Sequence, residues 1–187
     1  MSRSFDIFDT PLQGLKLLQR KPIGDSRGYL ERLFCAEEFK AAGVHKSIVQ
    51  INHTFTRRKG AVRGMHFQLP PHAETKLVSC LHGEVFDVAV DLRKASPTFL
   101  KWHGKALSAT NQRSLLIPEG FAHGFQALTD DCELIYLHTA AYRPEAECAL
   151  NATDPHLAIA WPMEITELSD RDRGHPMLAA DFDGIQL

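Results

Sequence analysis

Apolar and polar residues alternate through most of this chain, the period of a half-buried strand whose successive side chains face opposite ways. In residues 84–92 the alternation puts Phe86, Val88, Val90 and Leu92 on one side and Asp87 and Asp91 on the other. In residues 47–53 Val49 and Ile51 share one face, and Gln50 and Asn52 share the opposite one, turned to a polar cavity or to water. Around residues 63–68 His66 falls on the face of Gly64 and Gln68, opposite Met65 and Phe67. Further strands are predicted at 15–18, closed near Lys21-Pro22, and at 29–34, 76–81, 102–107, 113–117, 121–128 and 133–138. The last two, joined by a turn at Asp130-Asp131, have the pattern of a hairpin.

One stretch departs from this period. Residues 36–42 are strong helix formers, with Glu37 and Glu38 early, Lys40 late and Gly43 as a stop, so a short helix is predicted there. Beyond Asp154 the alternation is lost. The segment 151–187 is expected to be a helical tail, and Ser169 with Asp172 three positions on resembles a capping box, which gives Asp172 a structural reading. Many short strands, few helices and regular Gly, Pro and Asp turns predict a mainly β sandwich or barrel of the jelly-roll kind. The expected layout is one domain, 1–187, with N-terminal strands in about the first 50 residues and a core barrel over about 50–150.

Composition narrows the function classes. A chain of 187 residues, 44% hydrophobic and 24% charged, fits one domain with a full core. A net charge of -2 and a pI near 6.5 provide no basic field, so neither nucleic acid nor an anionic membrane is an expected partner, and any anion must be gripped locally. No run is apolar enough to span a bilayer and the first residues lack a signal peptide's apolar stretch, so a cytoplasmic protein is expected. Cys35, Cys80, Cys132 and Cys148 form no Cys-x-x-Cys pair and are expected to stay reduced.

The candidate chemistry centres on Arg63-Gly64-Met65-His66-Phe67-Gln68, with Lys76 ten residues on. A histidine between two basic side chains suits a general base acting on an anionic substrate. Ten histidines also raise a metal site. Pro118-x-Gly120-x-x-His123 is similar to the second motif of the cupin family, but where the first motif places His-x-His this chain reads His66-Phe67-Gln68. With one imidazole replaced by an amide, no metal site is expected. Tyr136 offers a phenol as proton donor, or as a partner for a backbone carbonyl. Arg27 and Glu31 read equally well as loop charges.

These residues, together with Lys76-Leu77-Val78, 83–93, Ser96-Pro97-Thr98-Phe99 and 117–125, stand in an order that closely resembles the dTDP-4-dehydrorhamnose 3,5-epimerase family, from about Gly24 to Asp172. The resemblance implies a cupin-type double-stranded β-helix, a homodimer, no cofactor and no metal. Its implied substrate is dTDP-4-dehydro-6-deoxy-D-glucose, on the route to dTDP-rhamnose and surface polysaccharide. It assigns His66 as base, Asp172 as its dyad partner, Lys76 to the oxyanion and Tyr136 to reprotonation. Arg27, Glu31, Gln50, Asn52, Arg63, His123 and Tyr142 are implied as substrate-binding. The chain departs from the family at Leu137 and Arg171, where many members carry lysine. Three alternatives stay open: an epimerase acting at carbon 3 alone or on another nucleotide sugar, a non-catalytic sugar-nucleotide-binding cupin, and, more distantly, a metal-dependent oxygenase.

Overall fold

The computed structural model describes residues 4–187, so the first three residues of the N-terminal segment lie outside it. The chain is mainly β. In order the strands are β1 (Phe5–Asp9), β2 (Lys16–Arg20), β3 (Ile23–Asp25), β4 (Gly28–Leu30), β5 (Gln50–Thr56), β6 (Val62–Gln68), β7 (Lys76–His82), β8 (Glu84–Asp91), β9 (Trp102–Ser108), β10 (Arg113–Ile117), β11 (Phe121–Ala127), β12 (Cys132–His138) and β13 (Glu147–Ala149). Helix α1 (Ala36–Ala41) lies between β4 and β5, and α2 (Asp170–Arg173) lies near the end of the chain.

Two antiparallel sheets face each other. One runs β1-β2-β10-β7-β12-β5 and the other β13-β6-β11-β8-β9, while β3 and β4 pair as a separate hairpin. The jelly roll expected from the strand pattern is what the chain forms. Alternation explains its layering. Val78 and Cys80 of β7, Leu115 and Ile117 of β10 and Leu134 of β12 meet Val85, Ala89, Phe121 and Phe125 from the other sheet. The opposite side of the second sheet, with Met65, Phe67, Val88, Val90 and Leu92, is covered by Leu157, Trp161, Leu168, Phe182 and Ile185 of the C-terminal segment. The outer side of the first sheet, with Phe5, Leu18, Leu77, Leu116 and Leu137, is covered by Phe39 of α1 and by Val44. Each sheet therefore buries both faces over its middle strands, which carry few outward polar residues, while β5 at the edge of the first sheet stays exposed.

Three expectations change, and one strand is added. The segment 121–138 is not a hairpin: β11 pairs with β6 and β8, and β12 with β5 and β7, so the turn at Asp130-Asp131 crosses from one sheet to the other. A turn's residues set its backbone angles, not the sheet that the next strand joins. The strand predicted over 29–34 shortens to the three residues of β4. The C-terminal segment contains a single helical turn, α2, and is otherwise irregular, held by its apolar contacts to the second sheet. β1, which pairs with β2 along its length, was not predicted.

Candidate active site

Alternation also points polar side chains inward at one end of the sandwich. Strand β6 carries His66 and β11 carries His123 directly opposite it in register. From the first sheet, β7 contributes Lys76, β12 Tyr136 and His138, and β5 Gln50 and Asn52. Together with Arg63, Tyr142, Glu147, Arg171 and Asp172 they line a cavity of about 340 Å³. That lies within the usual range for small-molecule sites, roughly 300–1,000 Å³.

Two glycines allow the close approach of β6 to β11. A Cβ on Gly64, whose φ is +138°, would lie 2.6 Å from Gly124 Cα. A Cβ on Gly124 would lie 2.6 Å from Met65 Sδ and 2.7 Å from Arg63 O. Glycine at both positions therefore lets His66 and His123 stand side by side.

The central pair is His66 Nε2 to Asp172 Oδ1 at 2.8 Å. Asp172 is presented by α2, where Ser169 Oγ accepts the Asp172 backbone N–H at 3.0 Å. The helix cap read from the sequence is present through the Asp172 backbone, while its carboxylate pairs with His66. Burial resists ionisation of this carboxyl. The hydrogen bond from His66, the charges of His66 and His175 and the bond to Ser169 outweigh burial and hold it below the usual carboxylate range. An ionised Asp172 can only accept, so His66 Nε2 is the donor of this bond.

Tyr136 stands on the opposite sheet, buried beside His123, with the ring centroids 5.8 Å apart. Burial pushes its phenol well above the ordinary tyrosine range, against the smaller effect of the hydrogen bond from Thr54 Oγ1. The phenol therefore keeps its proton. Lys76 Nζ lies 3.1 Å from Glu74 Oε1 and donates to the backbone carbonyl of His66 at 3.3 Å, which fixes the ammonium beside His66. Glu74 also pairs with His138 Nδ1 at 2.8 Å. Burial of Glu74 is outweighed by His138 and Lys76, which hold it ionised. His138 Nε2 in turn lies 3.4 Å from Asn52 Nδ2.

The remaining assigned residues divide into two groups. Arg63 donates to Thr56 Oγ1 at 3.0 Å and to the Phe55 carbonyl at 3.1 Å, and Gln50 Oε1 accepts the Tyr142 N–H at 2.9 Å, so all three form the wall toward β5. His123 Nε2 pairs with buried Asp87 Oδ1 at 2.8 Å. Gln68, at the cupin metal position, is occupied with the carbonyls of His72 and Ala141 and the N–H of Arg143. Arg27 and Glu31 do not line the cavity of this chain. Arg27 is exposed at the tip of the β3–β4 hairpin, paired with Asp25, and Glu31 lies 3.3 Å from the fully buried Arg20. Sequence reasoning missed Glu74, His138, Glu147 and His175. Only His138 carried a signal, two positions after Tyr136 on the same strand face.

Comparison with known proteins decides what this cavity belongs to. A family model described as dTDP-4-dehydrorhamnose 3,5-epimerase matches residues 9–180. The chain belongs to the dTDP-4-dehydrorhamnose 3,5-epimerase family. It is 43% identical over 179 residues to the dTDP-4-dehydrorhamnose 3,5-epimerase of Shigella flexneri, covering 95% of this chain and 98% of that one. The crystal structure of an epimerase of the same kind from Legionella pneumophila, in complex with dTDP-4-keto-L-rhamnose, superposes with a TM-score of 0.88 at 41% identity over 92% of each chain. A 3'-monoepimerase from Streptomyces bikiniensis, in complex with dTDP-quinovose, has a TM-score of 0.84 at 34% identity, covering 90% of this chain and 85% of that one.

Proposed function

We propose that this member of the family inverts carbons 3 and 5 of dTDP-4-dehydro-6-deoxy-D-glucose, without a cofactor, to give dTDP-4-dehydro-L-rhamnose. The observation that carries the reading is the His66–Asp172 pair on one wall of the cavity with the protonated Tyr136 on the other. A ketone at carbon 4 acidifies the hydrogens of both neighbouring carbons, so one base and one oxyanion stabiliser serve both. His66 Nδ1 takes the proton, the C–H electron pair moves into the carbonyl, and the enolate oxygen is stabilised by the Lys76 ammonium. Asp172 holds the tautomer and stabilises the imidazolium. Tyr136 delivers its phenolic proton to the opposite face, which inverts the centre. His66 then loses its proton and Tyr136 regains one, and the cycle repeats at the second carbon.

Arg63, Gln50, Asn52 and Tyr142 line the side of the cavity assigned to the nucleotide, and a guanidinium suits a diphosphate because its planar fork donates paired hydrogen bonds. Arg27 fits the same role when a second copy is added. The β3–β4 hairpin exposes Ile23, Tyr29 and Leu30, and the outward face near β5 exposes Val49, Ile51 and Phe55. An isolated hairpin has marginal stability. We infer a homodimer in which these apolar surfaces cover one another and Arg27 reaches the partner's cavity. Among the described residues no helix is long and apolar enough to cross a membrane. A cytoplasmic site, with the four cysteines free, and a supply of deoxysugar for surface polysaccharide complete the reading.

The carbon-3 epimerase is the second reading, because a 3'-monoepimerase shares the fold. The double epimerase is favoured by the family model, which matches residues 9–180, and by the 43% identity to the Shigella flexneri enzyme. A coupled assay separates the two. Incubation with the 4-keto sugar and a downstream 4-ketoreductase should yield the L-configured dTDP-deoxysugar; a D-configured product inverted only at carbon 3 would establish the second reading.

A further inference from the structure

His175 is absorbed by none of the roles above, yet it completes a compact set of three donor atoms. Its Nε2 lies 3.3 Å from His66 Nε2 and 3.2 Å from Asp172 Oδ1, while the His66–Asp172 edge is 2.8 Å. The two imidazole rings meet edge to face, at 87° and 5.3 Å between centroids. All three side chains are buried or half-buried.

Protons satisfy the cluster when both Nε2–H groups donate to the single Oδ1 of Asp172. A cation at the centre would instead accept one lone pair from each of the three atoms. Tetrahedral zinc with ligands at about 2.0–2.1 Å separates its donor atoms by roughly 3.3–3.4 Å, so two edges already match and the third needs to open by about half an ångström.

The ligands are also held in place. Asp172 and His175 are three positions apart at the α2 turn, and Ser169 caps that turn. Buried Asn151 fixes the following backbone, donating its amide to the carbonyls of Arg173 and His175 at 3.2 and 3.3 Å, while its N–H donates to the Pro176 carbonyl at 2.9 Å. Asn151 follows β13, which pairs with β6 at His66. The segment bearing His175 and the strand bearing His66 are thus parts of one framework.

We propose that His66, Asp172 and His175 form a binding site for a divalent transition cation, zinc in the first instance, and that occupancy switches the epimerase off. The ion takes Nε2 of the base and the carboxylate that holds it. The hydrogen of His66 then moves to Nδ1, the nitrogen needed to accept the substrate's proton. The switch-off rests on the epimerase reading, whereas the site itself does not.

The test titrates Zn²⁺ alone into the metal-free full-length protein by calorimetry and repeats it with His175→Ala and His175→Gln. One zinc per chain is expected for the wild type, with affinity at least ten-fold weaker in both variants, as for loss of one ligand in three. In parallel, zinc should inhibit epimerisation and a chelator should restore it. A Cys35→Ser/Cys148→Ser protein should behave as the wild type. No zinc binding, binding unchanged in both His175 variants, or binding lost with the cysteines overturns the site. Binding that depends on His175 without inhibition keeps the site and overturns the role given to the His66 dyad.

Discussion

At the scale of single residues, the strongest contrasts lie between side chains that resemble one another in sequence. His66→Ala removes the group proposed to take the proton and leaves the β5 wall intact. Turnover should vanish while calorimetric affinity for dTDP stays within a few-fold. Asp172→Asn leaves the geometry close but misplaces the hydrogen on His66, for which a loss of about 10²–10⁴ in kcat is expected. It also alters acid stability. Because the Asp172 carboxyl is held below its ordinary value, its ionised form contributes stability above about pH 4, and that contribution is lost as pH falls through the lower, folded-state value. Melting temperature against pH should therefore fall less steeply in the acid range for Asp172→Asn than for the wild type. Arg27 and Glu31, neighbours in the same stretch, should separate completely. Glu31→Ala leaves buried Arg20 without its counter-charge and should cost on the order of 3 kcal/mol in urea unfolding. Arg27→Ala touches only Asp25 within the chain, so it should leave stability unchanged and raise KM.

At the scale of elements, alternation was the legible signal, and its limits are physical. It located β6 to β12 closely because each buries at least one apolar face, whereas β5, exposed at the sheet edge, starts three residues later than the alternation placed it; and it put Asp87 opposite Val88 and Val90, where His123 now meets it. It could not show that β11 and β12 belong to different sheets, since pairing depends on partners far along the chain. The C-terminal segment was misread for the opposite reason. Its Leu157, Trp161, Leu168 and Phe182 are spaced by the surface they cover and not by a helical period. Of the residues lining the cavity, His66 and Lys76 were singled out by the residues themselves, as a histidine between basic side chains, and Asp172 as a partner of His66 only by the family resemblance. Periodicity alone gave His66 its face and gave Asp172 only its helix cap. His175 and Glu74 sit in loops, where spacing carries no information. The Gly64–Gly124 crossing yields a further prediction. Gly124→Ala drives a methyl against Met65 and Arg63, so it should destabilise by roughly 1–3 kcal/mol and lower kcat by shifting β6 under His66. Thermal melts and steady-state kinetics check the two parts.

At the scale of the whole molecule, the sandwich supplies two walls and the tail closes the site with α2, so His66 and Tyr136, the proposed base and acid, face the cavity from opposite sheets. The apolar surface left by Ile23, Leu30, Val49 and Ile51 is the part that one chain does not account for. Leu30→Asp with Ile51→Asp should convert a dimer into a monomer in analytical ultracentrifugation and weaken substrate binding through loss of the partner's hairpin. A wild-type monomer would contradict the shared cavity. The central claim is that a single base works on both sides of one ketone. It is tested most directly by incubating the protein with dTDP-4-dehydro-6-deoxy-D-glucose in deuterated water and following carbons 3 and 5 by NMR. Deuterium should enter at both carbons, and His66→Ala should abolish both exchanges together. Exchange at carbon 3 alone, or exchange that survives in His66→Ala, would contradict the account.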